Sequence, residues 1–248
     1  MTELLVALGL IAGVVAAHEN GFWLGSLTRS ADEPFNRQVA LVRTSTAALV
    51  AFLIGFAFSG AASRFIDRVD IIVKEANALG TAYLRADTIA EPQRGELKAA
   101  LKEYTADRIM LLSREGRGQI EPLLAKASGL HGRMWRSAIN ATQDNAPLMA
   151  LVLPPINEVI DLHSTHLAMA RRHLPIPIMM VLLGAAAISV GIIGFGNGRV
   201  GRRFFVLDSV YGAVLAIALW MTIDLDYPGI GIIRLSNLPV VETLAAMN

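Results

Sequence analysis

Cysteine is absent from all 248 residues. That excludes disulfides, thiolate catalysis and cysteine-based metal sites. Charge is scarce as well: charged residues make up 17% of the chain, against ~25% in soluble domains. The formal net charge is +1, which offers neither a basic field for nucleic acid nor an acidic one for cationic partners. Catalytic signatures are missing too. There is no phosphate-binding loop, no HExxH, no GxSxG, and no carboxylate pairing beyond ordinary helix-surface charge. No stretch alternates in the manner of a strand. These absences speak against an enzyme and a nucleic-acid binder, and no cofactor or metal is expected.

What the chain has instead is apolar surface. Hydrophobic residues reach 54% and the mean hydropathy is +0.49, values that belong to membrane proteins. A transmembrane helix needs ~20 mostly apolar residues. Residues 44–63, 175–195 and 204–223 meet that length. A first span, 4–17, reaches it only by continuing past His18 and Glu19 through "GFWLG" (21–25). A signal peptide is the rival reading of this segment, but its opening Met1-Thr2-Glu3 lacks the positive n-region of such peptides.

Between the second and third spans lies a polar block rich in Ala, Leu, Glu, Arg and Lys. Phe65, Val69, Ile72, Ala76, Leu79 and Tyr83 alternate steps of four and three, which predicts a heptad seam continuing the second span. Gly80 weakens such a helix by ~1 kcal/mol relative to alanine, so the part beyond it is expected to pack separately. Glu91-Pro92 opens a helix through Leu97, Leu101, Tyr104 and Leu112; "REGRGQIEP" (114–122) reads as a turn. Another helix runs to about Asn145, and Pro154-Pro155 is expected to introduce the last soluble helix. The expected fold is all-α. Residues 1–63 carry spans one and two, 64–173 a helical soluble domain, 174–223 spans three and four, and 224–248 a tail. Six Arg or Lys flank the span ends on each side, so charge hardly orients the chain. The weighting of short loops tips the domain outward.

The second span raises the functional question. Phe52 and Phe56, four apart, share a helix face, and spacing alone allows that face to meet lipid, another span or a pore. Gly55, Ser59 and Ala62 form a small-residue face suited to close helix packing. "FLIGFAFSGAASRF" (52–65) resembles the second membrane helix of bestrophin anion channels, in Phe52, Leu53, Ile54, Gly55, Phe56, Arg64 and Phe65. Over most of its length the chain is more similar to the bacterial bestrophin-like domain family, through "EANALGTAYLRAD" (75–87), "EPQRGELKAALKEY" (91–104) and "DLDYPGIGIIRLS" (224–236).

That resemblance implies a homo-oligomer in the bacterial inner membrane, a pentamer, with five second helices around a pore for small monovalent anions. It also implies a domain facing inward, against the charge count. The neck positions it implies are Ala48, Phe52 and Phe56, with Ala48 smaller than the bulky aliphatic expected there. Ser59 and Ser63 continue the lining. Aromatic ring edges carry the positive end of the quadrupole, and hydrophobic necks gate by dewetting. Arg64 and Arg68 follow in the same helix. Snorkelling explains them simply, whereas repeated around an axis they would form cationic rings of the kind that select anions. Asp224 and Asp226 are a thin match to the acidic run that helps bind Ca²⁺ in the animal channels.

Other residues have blander readings. Asp208, five residues into the fourth span, is expected to pair with Arg202 or Arg203. His18 and Glu19 read as an interfacial cap, with a proton-sensitive pair as the alternative. His163 and His166, three apart without a third metal ligand, read as packing or surface residues. "GFGNGR" (194–199) reads as a tight turn between spans. The leading expectation is therefore a passive anion channel, with self-association, lipid and small anions as its partners and no nucleic acid. A membrane-anchored helical sensor or scaffold is the alternative, although no output module follows the fourth span. A secondary transporter would carry internal repeats and broken spans, and neither is evident.

Overall fold

Apolar runs and helical periodicities become eight α-helices among the described residues of the computed structural model, which are 2–29, 33–113, 118–229 and 231–247. They are α1 (Thr2–Leu27), α2 (Glu33–Arg85), α3 (Gln93–Leu112), α4 (Ile120–Thr142), α5 (Ala146–Ala170), α6 (Ile176–Val200), α7 (Phe205–Asp226) and α8 (Leu238–Ala246). A 3-10 turn, Ala86–Thr88, follows α2. Among the described residues four of these helices are long and apolar enough to cross a membrane: α1, α2, α6 and α7. The protein is an all-α, integral multi-pass membrane protein.

The chain divides into two compact units. The first contains residues 1–65 and 173–234, hence α1, the first part of α2, α6 and α7. Its core gathers Val50, Ile54 and Ala57 of α2 with Leu182, Ala186 and Val190 of α6 and Leu215 and Leu219 of α7. α1 packs along α6 at backbone contact. A Cβ on Gly21 would lie 2.0 Å from the Gly191 carbonyl oxygen, and one on Gly25 2.0 Å from that of Phe195. From the other side, Gly194 meets His18 O at 2.1 Å and Gly198 meets Phe22 O at 2.1 Å. Because these partners rise together in number, the two helices run parallel. "GFGNGR" is therefore helix, not the expected turn: Gly194 and Gly198 are where α1 seats against α6, and Gly196 faces Val39 of α2. The turn comes at Gly201, whose φ of +69° suits glycine.

The second unit contains residues 66–172 and 235–248. Ile72, Ala76, Leu79 and Tyr83 of the expected seam are buried with Leu97, Leu101 and Tyr104 of α3, Leu130 and Met134 of α4, and Ile156 and Val159 of α5. α2 does not break at Gly80. Ala78, Leu79 and Ala82 around it are fully packed, and their burial outweighs the helix propensity lost at one glycine. The terminal α8 joins this core through Val240, with Met247 just beyond it, and the Met247 carbonyl accepts a hydrogen bond from Tyr83 Oη at 2.6 Å.

α5 begins earlier than its prolines suggest. Asn145 caps it, accepting from Leu148 N at 3.1 Å, and Pro147 occupies the first turn. Pro154 and Pro155 lie inside the helix instead of starting it. Proline at 155 removes the amide that would bond to the carbonyl of Leu151. The guanidinium of Arg85 donates to that carbonyl instead, at 2.8 Å.

Candidate functional site

At ~100° per residue, Ala48, Phe52, Phe56, Ser59 and Ser63 fall within an arc of about 80° on α2. All five are exposed, Phe52 at 70% and Phe56 at 74%. Val50, Ile54, Ala57 and Ala61 occupy the opposite arc and are buried. α2 therefore has one face seated in its unit and one unpartnered face that carries large aromatics. The small-residue face does not act as expected within the chain: a Cβ on Gly55 would meet nothing within 4 Å.

Arg64 and Arg68 turn away from that exposed arc, onto the buried side. Arg64 Nε donates to Asp226 Oδ1 at 2.7 Å. Arg68 is 4% exposed, and its guanidinium donates to the carbonyls of Met169 and Arg172 at the end of α5. Cations suit helix C-termini, where carbonyls lack intrahelical partners. Asp226 also accepts from Leu174 N at 2.7 Å, and Asp224 accepts from the amides of Ile232 and Ile233 at 2.9 and 3.0 Å. Both carboxylates thus fix backbone around the end of α7.

Within the first unit Asp208 pairs differently from expectation. Its Oδ2 accepts from Asn197 Nδ2 at 2.7 Å and lies 3.1 Å from His18 Nε2. Arg203 instead grips Glu19 with both terminal nitrogens, at 2.6 and 2.9 Å, and lies over the Phe22 ring. The parallel glycine seam is the reason. It brings His18 and Asn197 alongside the first turn of α7 and leaves Glu19 for the arginine.

The second unit holds a polar cluster that the sequence reading missed. Glu75, Tyr104 and Arg108 are fully buried, and His163 and His166 are 7% exposed. These histidines are core residues, not surface ones. Arg108 grips both Glu75 oxygens, through Nε and through Nη2 at 2.7 Å. Tyr104 Oη donates to Glu75 Oε1 at 3.1 Å and lies 3.0 Å from His163 Nδ1. His166 Nδ1 is 3.0 Å from Arg108 Nη2 and 3.2 Å from Glu75 Oε2. The His131 ring sits against Tyr104 and His163, at centroid distances of 5.0 and 4.9 Å.

Burial pushes the Glu75 carboxyl up, but the His166 hydrogen bond and the Arg108 guanidinium outweigh it and hold the group at about 2. Burial, then the Arg108 charge, takes His163 down to about 4; burial first also lowers His131. Burial and the Glu75 charge raise Tyr104 well above the usual phenol range. At neutral pH the cluster holds one buried ion pair, Glu75 with Arg108, and Tyr104 and His163 beside it are neutral. Among the described residues no group of three or more His, Cys, Asp or Glu is arranged to hold a metal ion. The signal was present: Glu75 borders the α2 seam, three residues after Ile72, and Arg108 stands one turn after Tyr104 on the apolar line of α3.

An exposed aromatic face on a long apolar helix, four spanning helices and a separate helical unit define a class: multi-pass membrane proteins of bestrophin-like architecture. The model of the bestrophin-like domain matches residues 12–240. The chain belongs to that family. Among solved structures it is similar to a bacterial bestrophin homologue from Klebsiella pneumoniae, at 13% identity and a TM-score of 0.67, covering 98% of this chain and 95% of that one. A tryptophan-to-alanine variant of that homologue gives 13% identity and 0.66, with 99% and 93% covered. A further membrane-protein structure, with a proline-to-alanine substitution, gives 13% and 0.63, with 100% and 96% covered. These likenesses extend to the fold. No curated protein matches the sequence significantly.

Proposed function

We propose that the chain forms a homo-oligomeric channel, a pentamer by resemblance to bestrophins, through which small monovalent anions pass passively. The observation that carries this reading is the two-faced α2. Its buried arc seats it in the unit, while Ala48, Phe52, Phe56, Ser59 and Ser63 form an exposed line with aromatic bulk at its middle. Repeated around an axis, Phe52 and Phe56 make two apolar rings one helical turn apart. Such a neck passes anions along positive ring edges and closes by expelling water. Ser59 and Ser63 add hydroxyl donors beyond it. Arg64 and Arg68, on the arc of α2 opposite this lining, are the residues we assign to selectivity; Arg68, held by neutral carbonyls, keeps its positive field, while Asp226 offsets that of Arg64. The protein's own copies, lipid and small anions are its partners.

The test is chloride and potassium flux through proteoliposomes, wild type beside Phe52→Ala/Phe56→Ala. Anion flux that rises or loses discrimination in the double variant supports the neck. Anion flux indifferent to both residues moves the path elsewhere. Absence of flux from folded, oligomeric protein overturns the channel reading in favour of a membrane-anchored scaffold.

A further inference from the structure

A cavity of about 340 Å³ opens between α1, α6 and α7, within the ~300–1,000 Å³ range of ligand sites. Its lining is graded. Glu19, Arg203 and Asp208 stand at one end, and Ile11, Val14 and Ala216 at the other. The gradient has a direction because the end of α1, the end of α6 and the start of α7 lie together, as the parallel glycine seam and the Gly201 turn require. The polar end is thus beside the loop joining α6 to α7, and the apolar end lies farther into the spans. From Asp208 to Ala216 the helix rises about 12 Å at ~1.5 Å per residue. Gly212 lets α7 approach α1 closely, since a Cβ there would lie 2.9 Å from Val14 Cγ1, and the small Ala213 beside it lines the open space.

We propose that this cavity holds one acyl chain of a bilayer phospholipid with a zwitterionic, ammonium-bearing headgroup. A graded pocket that is polar at the span boundary and apolar toward mid-membrane matches an amphiphile lying in its ordinary bilayer orientation. The headgroup follows from charge complementarity. The Glu19–Arg203 pair at the mouth is about half exposed on both sides and offers a carboxylate to an ammonium and a guanidinium to a phosphate. The start of α7 adds its positive dipole end on the phosphate side. Among the lining charges two carboxylates, Glu19 and Asp208, face one guanidinium, Arg203, so an ammonium-bearing headgroup balances the mouth where a purely anionic one does not.

The experiment is native mass spectrometry of the full chain in detergent after incubation with phosphatidylethanolamine or phosphatidylglycerol of defined chain length. Wild type should retain one phosphatidylethanolamine per protomer in preference to phosphatidylglycerol. Ala213→Phe, which fills the cavity, should lower that occupancy about tenfold, a difference of ~1.4 kcal/mol. Glu19→Gln/Arg203→Gln should keep chain binding and erase the headgroup preference. On the wild type alone, occupancy should fall as the chains are shortened, a readout that requires no variant to fold. Equal adducts in wild type and Ala213→Phe, occupancy independent of chain length, or no adduct on folded wild type would each overturn the assignment. So would loss of self-association in Ala213→Phe with no lipid bound to wild type, which would show that a second copy covers the cavity.

Discussion

The two units treat ionisable groups in opposite ways. In the membrane unit His18, Glu19, Arg203 and Asp208 gather at one end of the spans, and Arg64 and Asp226 at another helix end, while the apolar core between is Val, Leu, Ile and Ala. In the second unit a Glu–Arg pair sits in the middle of the core, fully buried. Lipid supplies no hydrogen bonds to a misplaced polar group, so the membrane unit obtains close packing from bare backbone. The other unit can exclude water around an ion pair whose members and partners come from three different helices. Such a pair contributes little net stability against an apolar replacement, but it strongly penalises any arrangement that separates its members. One unit is specified by shape, the other by complementary charge.

The largest effect should come from adding bulk to the shape-specified seam. A Cβ at Gly194 already lies 2.1 Å from His18 O and 2.9 Å from Phe22 N, both backbone atoms that no rotamer change can move. Gly194→Leu is expected to separate α1 from α6 at a cost beyond about 4 kcal/mol, the range reserved for such failures. Loss of the folded, detergent-stable species in size-exclusion chromatography would show it. A variant that behaves like wild type would dissolve the contrast between the units.

Removing one member of the buried pair comes next. Arg108→Leu leaves the buried Glu75 charge without its guanidinium, with only Tyr104 and His166 beside it, and should cost about 3–5 kcal/mol, whereas Glu75→Leu/Arg108→Leu should recover most of that loss. Chemical denaturation of the single and double variants separates the outcomes. A double variant as unstable as the single one would mean that the cluster contributes more than charge complementarity.

Acid should sharpen the same contrast. Both His163 and Glu75 have folded-state values below their ordinary ones, so the unfolded chain binds more protons and stability falls as pH falls. For His163 the contribution is complete above 6.5 and is lost as pH drops through about 4. For Glu75 it is complete above 4.5 and is lost toward about 2. Trp135 is the sole tryptophan of the second unit, since Trp23 and Trp220 lie in the first. With Trp23→Phe/Trp220→Phe, the Trp135 emission should report a thermal midpoint that declines between pH 6.5 and 4. A midpoint flat across that window would mean that His163 is not held neutral.

Sequence patterns revealed the helices and their order because apolar period and span length are local properties. They also picked out the face of α2 that carries Phe52 and Phe56, since a four-residue step fixes a face whatever lies opposite. They failed where the deciding partner was distant. Asp208 was near Arg202 and Arg203 in sequence, yet it meets His18, 190 positions away. Arg64 looked like a free cation until Asp226, 162 positions on, lay beside it. The prolines of α5 looked like a helix start because nothing nearby showed that Arg85 would serve the Leu151 carbonyl. The glycines at 194 and 198 read as a turn for the same reason, since a helix seam is visible only with both helices present.

Gly80 offers the smallest effect and a clean control on the shape argument. It sits within a helix without a positive φ, and a Cβ there would meet Thr243 Cγ2 at 3.7 Å, an ordinary contact. A cavity of about 310 Å³ beside it, lined by Ala76, Tyr83 and Thr243 among others, leaves room for a methyl. Unlike Gly194, this glycine is not required by a close approach of backbone. Gly80→Ala should therefore stabilise the second unit by about 0.4–1 kcal/mol, chiefly by narrowing the unfolded ensemble. A small rise in the thermal midpoint seen by Trp135 is the expected result. Destabilisation instead would mean that α8 requires a closer approach to α2 than the Thr243 contact shows, and that the second unit too depends on a bare backbone seam.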